Sequence, residues 1–424
     1  MKNIKKPELL APAGDLNKLK TALAFGADAV YFGVPDFSLR VRINDFSWED
    51  ITTAIEYTHE QGKKAYVTLN ILAHNHHLPS ISEHVKQLKP LAPDAIFISD
   101  PGVMLTVREA WPEAKLSLST QANCTNWQSA QFWRDQGFGR IILSREMSLA
   151  DIQEIIAKVP EVEIEVFVHG ALCSSYSGRC FISDYLNDRS ANQGDCTQPC
   201  RWEYELKPAG HDDKSLILGE DANGSYILNS RDLCLIERLP EIIASGVSAI
   251  KIEGRAKSAY YLANVVGTYR KAIDLICDSG ESKTAIAKEL KFLREELTQK
   301  LRHRGYSEGF MFRGDDHLQN LSGVNFIPDW EFCGQVVDCQ ADGQGVYDLT
   351  INVHNAIFTG DELEIISPAY EVDTLINTNM TAVKDGQTLS EAHGGAGADS
   401  VVIIKVDKSY PALSVLRRRL KTKA

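Results

Sequence analysis

Short apolar runs alternate with amphipathic stretches through the first half of the chain, the pattern of strand, helix and parallel strand. Glu8–Pro12 reads as the first strand and Ala29–Gly33 as the second. Between them Leu16, Leu19, Ala22 and Leu23 fall at helical spacing, and Gly26 is placed to end that helix. Further strands are expected at 65–69, 95–99, 116–120, 140–144 and 163–168, and an eighth at Ala249–Glu253 after a long insertion. Eight β/α units predict a TIM-like (β/α)8 barrel. An open doubly wound sheet is the alternative, and it also gathers ligands at the carboxyl ends of its strands. The polar residues expected there are Asn70, Asp100, Gln121, Arg145 with Glu146, His169, and Lys251 with Glu253 and Arg255. Each is a site candidate, with a helix cap or loop hydrogen bond as the plainer role.

The 424 residues exceed the ~250 of such a barrel, so appended units are expected. The division read from the pattern is a barrel at 1–256 with a cysteine-rich insertion at 170–235, flanking helices at 257–322, a small C-terminal β-barrel at 323–408 and a basic tail at 409–424. Tyr260, Val265, Tyr269, Ile273 and Ile276 mark one flanking helix, and Leu290, Leu293, Leu297 and Leu301 the other. Short β-like runs broken by Gly and Asp mark the C-terminal unit.

Hydrophobic residues at 44% and charged residues at 24% exclude a disordered or fibrous chain. A net charge of -12 argues against a surface given over wholly to nucleic acid, so contact with RNA has to be local. The basic spots are Lys300, Arg302 and Arg304, and the run Arg417, Arg418, Arg419. They are candidate phosphate contacts, with a solvated helix end as the alternative for the terminal run. The N-terminal residues lack the apolar core of a signal peptide, and no run approaches the ~18 apolar residues of a membrane span. A cytoplasmic protein without membrane contact is expected, in an environment that keeps thiols reduced.

Five of the nine cysteines, Cys173, Cys180, Cys196, Cys200 and Cys234, crowd into the insertion. Their spacing, C-x6-C-x15-C-x3-C and then Cys234, is wider than the tight pairs of structural zinc sites. Thiolates at varied spacing suit iron–sulfur ligation. Four of the five around a four-iron four-sulfur cluster are therefore expected, with zinc or metal-free cysteines as alternatives. Trp202, Tyr204, Tyr176 and Phe181 lie among them, placed either to stack a base or to pack a core. Arg145, Lys251 and Arg255 suit a dicarboxylate, and ion pairing with Glu146 and Glu253 is the rival role.

The segment Glu165-Val-Phe-Val-His-Gly170-Ala-Leu-Cys173-Ser-Ser-Tyr-Ser-Gly178-Arg-Cys180-Phe-Ile-Ser183 resembles the signature of peptidase family U32. Leu9-Leu-Ala-Pro-Ala-Gly14, Asn192-Gln-Gly-Asp-Cys196, Asn229-Ser-Arg-Asp-Leu-Cys234 and Lys251-Ile-Glu-Gly-Arg255 extend the likeness across the barrel region. The resemblance implies several things about function. Members with one barrel and a short β-rich C-terminal domain convert the wobble uridine of tRNA to 5-hydroxyuridine without oxygen, using a four-iron four-sulfur cluster and prephenate as hydroxyl source. tRNA and the iron–sulfur assembly machinery would be the partners. Cys173, Cys180 and Cys196 match cluster ligands of the family, and the fourth position matches either Cys200 or Cys234; Cys234 is the expected one. Arg145, His169, Lys251, Glu253 and Arg255 are then the substrate or donor site.

The family name points to proteolysis, the main alternative. Neither G-x-S-x-G nor H-E-x-x-H is present, so a peptidase has to rest on Cys173 with His169. A non-catalytic RNA-binding protein with a structural metal is the other alternative.

Overall fold

The computed structural model describes residues 5–38, 46–173, 175–202, 205–206, 216–217, 230–312, 326–342, 345–395, 397 and 400–420. Six β/α units and a seventh strand come first: β1 (Glu8–Pro12), α1 (Leu16–Ala24), β2 (Ala29–Gly33), α2 (Trp48–Glu60), β3 (Lys64–Leu69), α3 (Leu78–Leu88), β4 (Ala95–Ile98), α4 (Pro101–Ala110), β5 (Leu116–Leu118), α5 (Trp127–Asp135), β6 (Phe138–Ile142), α6 (Leu149–Lys158) and β7 (Glu163–Ala171). The insertion follows, with α7 (Ile182–Asn187), the hairpin β8 (Glu205–Leu206) and β9 (Leu216–Ile217), β10 (Asp232–Cys234) and α8 (Leu239–Ala244). The eighth barrel strand is β11 (Ala249–Ile252), which pairs in parallel with both β1 and β7 and closes the barrel.

Local chemistry explains where the helices begin. Asp15 caps α1 by accepting from the Lys18 amide at 2.8 Å, and Ser47 and Ser148 build capping boxes with Asp50 and Asp151. Asp100 accepts from the Val103 amide at 3.0 Å, so this strand-end residue takes the cap role. Gly26 ends α1 at φ 99°, a conformation open to glycine.

The barrel interior carries charges as well as aromatics. Fully buried Glu165 accepts from Lys251 Nζ at 3.0 Å and from Arg140 Nη1 at 3.2 Å. Arg140 continues to Glu8 at 2.6 Å and to Glu163 at 2.6 Å, below the level of the mouth.

Two long helices, α9 (Ala259–Asp278) and α10 (Lys283–Lys300), lie against the barrel, and β12 (Tyr306–Ser307) extends β10 in parallel. No helix among the described residues is long and apolar enough to cross a membrane. The expected small C-terminal β-barrel is present as an antiparallel β domain with its own apolar core, including Val336, Leu349, Ile351 and Ile404. Its strands are β13 (Trp330–Ala341), β14 (Tyr347–Val353), β15 (Ile357–Phe358), β16 (Glu362–Ser367), β17 (Glu371–Ile376), β18 (Met380–Ala382), β19 (Thr388–Leu389), β20 (Glu391–Ala392), β21 (Val401–Val406) and β22 (Val415–Arg419). Eight form one sheet in the order β17-β16-β22-β13-β14-β21-β18-β19, and β15 pairs with β20.

The expected basic tail is corrected here: Arg417, Arg418 and Arg419 belong to β22, an inner strand between β16 and β13. Arg417 is fully buried and bonds to Glu364 at 2.6 Å, Glu296 at 2.8 Å and Asn264 at 3.0 Å. Arg418 pairs with Glu331 at 2.8 Å and Asp361 at 3.4 Å. Only Arg419, bonded to Asp329 at 2.8 Å, has a largely exposed side chain. The same network takes in Lys300, which bonds to Glu364 at 2.9 Å and sits 3.7 Å from the Trp330 ring. These contacts join the C-terminal domain to α9 and α10.

Candidate functional site

A cavity of about 190 Å³ opens at the carboxyl ends of the barrel strands. Its floor is aromatic, from Tyr31, Phe97 and Phe167, and carries the Lys251 ammonium 4.2, 4.1 and 5.5 Å from their ring centres. Burial pushes Lys251 down to about 8, against the upward pull of Glu165. Above the floor stand Arg145, Glu253 and Arg255. The Arg145 guanidinium lies 3.8 Å from the Phe167 ring, donates to the Ala171 carbonyl at 2.5 Å and pairs with Glu253 at 3.5 Å. Arg255 donates to the Thr68 hydroxyl at 3.4 Å. The expected cations are thus brought together, and part of the expected ion pairing comes with them: Arg145 reaches Glu253, while Glu146 instead accepts from the Ser177 amide at 2.9 Å.

The insertion forms the other wall. Cys173, Cys180, Cys196 and Cys200 all line this cavity. Cys173 follows directly from β7, past Ala171. Asn192 clamps Cys180, with its side chain accepting from the Cys180 amide at 3.4 Å and donating to the Cys180 carbonyl at 3.0 Å. The Asn192 carbonyl in turn accepts from the Leu72 amide at 3.0 Å, which ties the insertion to the loop after β3. Arg189 and Asp195 pair at 2.6 Å across the segment leading to Cys196. Four thiols are a donor set that suits a soft metal centre. Among the described residues no three His, Cys, Asp or Glu side chains stand close enough to hold one metal ion. A four-iron cluster asks for a wider set, because its thiolates go to different irons.

Cys234, the expected fourth ligand, stands elsewhere. β10 runs antiparallel to β7 and sets Cys234 opposite His169, where it is buried 4.0 Å from the Tyr269 hydroxyl and outside the cavity lining. The geometry therefore groups Cys200, and not Cys234, with the other three.

His169 is likewise corrected. It is buried among Tyr261, Tyr269 and Tyr306, with ring centres 6.0, 5.5 and 5.4 Å away. Burial pushes it down to about 3, and neither ring nitrogen has a partner among the described residues. The cause is a register shift: Phe167 pairs with Lys251, but His169 pairs with the next residue, Ile252, so the inward alternation of β7 breaks after Phe167. Cys173 and His169 consequently form no dyad.

The first basic spot also dissolves. Arg304 is buried against Asp232 at 2.7 Å and Lys300 against Glu364, which leaves Arg302 exposed. Aromatics of the insertion are instead open to solvent: Tyr176 is 65% exposed, Phe181 70% and Trp202 48%. Tyr204 lies outside the described residues. Sequence reasoning missed the floor residues Tyr31, Phe97 and Phe167 and the buried counterion Glu165. The signal available for the last was strand alternation, which places Glu165 and Phe167 on one face of β7.

With this geometry in place, comparison with known proteins identifies the family. The model of peptidase family U32 matches residues 14–320, and that of the family's C-terminal domain matches residues 328–417. tRNA hydroxylation protein P of Escherichia coli K12 is 38% identical, covering 92% of each chain. The protein of the same name from Helicobacter pylori 26695 is 40% identical over 98% of this chain and 99% of its own. The 23S rRNA 5-hydroxycytidine C2501 synthase of E. coli K12 is 32% identical over 88% of this chain and 54% of its own. Matched over both its barrel and its C-terminal domain, the chain belongs to peptidase family U32.

Proposed function

We propose that this protein hydroxylates RNA, converting the wobble uridine of tRNA to 5-hydroxyuridine, with prephenate as the hydroxyl source and a four-iron four-sulfur cluster held by Cys173, Cys180, Cys196 and Cys200. The observation that carries the reading is one cavity walled by four thiols on one side and by Arg145, Lys251 and Arg255 on the other, with exposed aromatics on the insertion around it. Relatives named for hydroxylation of tRNA and rRNA support it.

When bound, the cluster supplies an electron-exchanging centre at the cavity wall. The rest of the task falls to the chain's own groups. Lys251 and Arg255 attract the carboxylates of the donor, and the Arg145 guanidinium adds a planar pair of N–H groups at the mouth. The aromatic floor keeps water away from the Lys251 ammonium and receives the donor's ring. Tyr176, Phe181 and Trp202 offer stacking surfaces for an unpaired base. Loading depends on the iron–sulfur assembly machinery, and the work is cytoplasmic.

Nucleoside analysis of tRNA tests the reading. A strain lacking the gene loses 5-hydroxyuridine and its derivatives, the wild-type gene restores them, and Lys251→Met does not. Unchanged nucleosides in the deletion strain would defeat the proposal and leave an RNA-binding role. The peptidase alternative has no Cys173–His169 dyad to work with.

A further inference from the structure

Between two of the cavity's cysteines the backbone takes an unusual path. Gln198 has φ 60° and ψ 45°, the left-handed region that side-chain-bearing residues rarely enter. It also precedes Pro199, and a residue before proline is pushed towards extended backbone. Neither local preference explains this conformation, so the surroundings impose it. Two consequences follow for the cysteines. The Gln198 amide donates to the Cys196 sulfur at 3.3 Å, and the turn leads into the short helix Pro199–Arg201, which brings Cys200 to the same cavity as Cys196.

We propose that Gln198 is a positioning residue for the metal group: its left-handed backbone aims its own N–H at the Cys196 sulfur and turns the chain so that Cys200 faces the same centre. This rests on the reading that these cysteines hold an iron–sulfur cluster. An N–H donated to a ligating sulfur withdraws charge from it, stabilises the reduced cluster and raises its potential. The side chain of residue 198 is secondary, and what matters is a backbone able to hold positive φ.

The test compares wild type with Gln198→Gly, Gln198→Asn and Gln198→Val after anaerobic reconstitution of the full chain. Glycine and asparagine enter the left-handed region readily, whereas a β-branched residue does not. Two readouts are taken: the rate at which the visible absorption bleaches under a ferrous chelator, and the midpoint potential by redox titration. Melting curves of the metal-free chains control for folding. The glycine and asparagine variants should match wild type within about twofold in rate and share its potential, while the valine variant loses its cluster about tenfold faster and titrates at a more negative potential. Four indistinguishable proteins would overturn the inference, as would a glycine variant as labile as the valine one, since the side-chain amide would then be the active part. A wild-type chain that takes up no iron and sulfide overturns this inference together with the proposed function. A loaded wild type with a flat series overturns this inference alone.

Discussion

Arg417→Ala separates a structural arginine from an RNA contact. The side chain is fully buried and bonds to Glu364 at 2.6 Å, Glu296 at 2.8 Å and Asn264 at 3.0 Å. Truncation leaves two largely buried carboxylates side by side, and removing one partner of a buried pair costs about 3–5 kcal/mol. Lys300 still faces both acids, at 2.9 Å from Glu364 and 3.6 Å from Glu296, so the loss falls at the low end of that range. About 3 kcal/mol is roughly a hundredfold in the unfolding equilibrium of the C-terminal domain. Urea titration followed by tryptophan emission measures it, with Trp330 reporting locally from 5.3 Å away from Arg417. Arg419→Ala is the matched control, because its side chain is exposed and its pair with Asp329 contributes at most about 1 kcal/mol. If Arg417→Ala unfolds at the wild-type urea concentration yet binds tRNA more weakly, the burial argument is wrong and the residue meets phosphate.

Other outcomes follow from the same geometry. Cys200→Ala should lower iron and sulfide per chain, whereas Cys234→Ala keeps both and costs on the order of 1 kcal/mol for the lost buried sulfur; the reverse result in metal analysis restores the distant cysteine as ligand. Lys251 releases its proton near 8 when folded and near its ordinary 10.5 when unfolded. The unfolded chain therefore holds more protons between pH 8 and 10.5, so this group makes stability rise with pH across that window; urea midpoints at pH 7 and 10 should show a slope that Lys251→Met removes. Affinity for a carboxylate ligand should fall as pH passes 8, and calorimetry showing no such fall would discount the ammonium. His169→Phe should leave iron content and tRNA modification within about twofold, because the buried ring stays neutral above pH 3; loss of modification in a normally folded variant would return His169 to the chemistry.

The barrel was legible because its strands are short apolar runs with capping residues between them, and each run expected from the pattern contains or overlaps a strand. The mouth was legible for the same reason, since Arg145, Lys251, Glu253 and Arg255 follow directly from where strands end. What failed depended on distant partners. Arg417 looks like part of a solvated run until Glu296 and Glu364, 121 and 53 residues away, are seen to neutralise it. His169 obeys the two-residue alternation of its strand on paper, and a one-residue register shift against β11 removes it from the interior. Cys234 was the expected fourth ligand, but antiparallel pairing of β10 with β7 decides which side it occupies.

Closure of the barrel sets an order on its assembly. β11 supplies the partner for β1 and for β7, and it is made only after the whole cysteine-rich insertion. Until Ile252 has emerged from the ribosome, β1 and the stretch Glu165–Phe167 of β7 lack their partner strand, the kind of open edge that templates aggregation. Contacts that join the chain's first strand to its last barrel strand also form slowly, because a very long loop must be closed to make them. The insertion is therefore synthesised, and its cysteines exposed to the cell, while the sheet beneath is still open. Emergence of β11 thus becomes a condition for yield, and a chain halted before Ala249 should be found in the insoluble fraction.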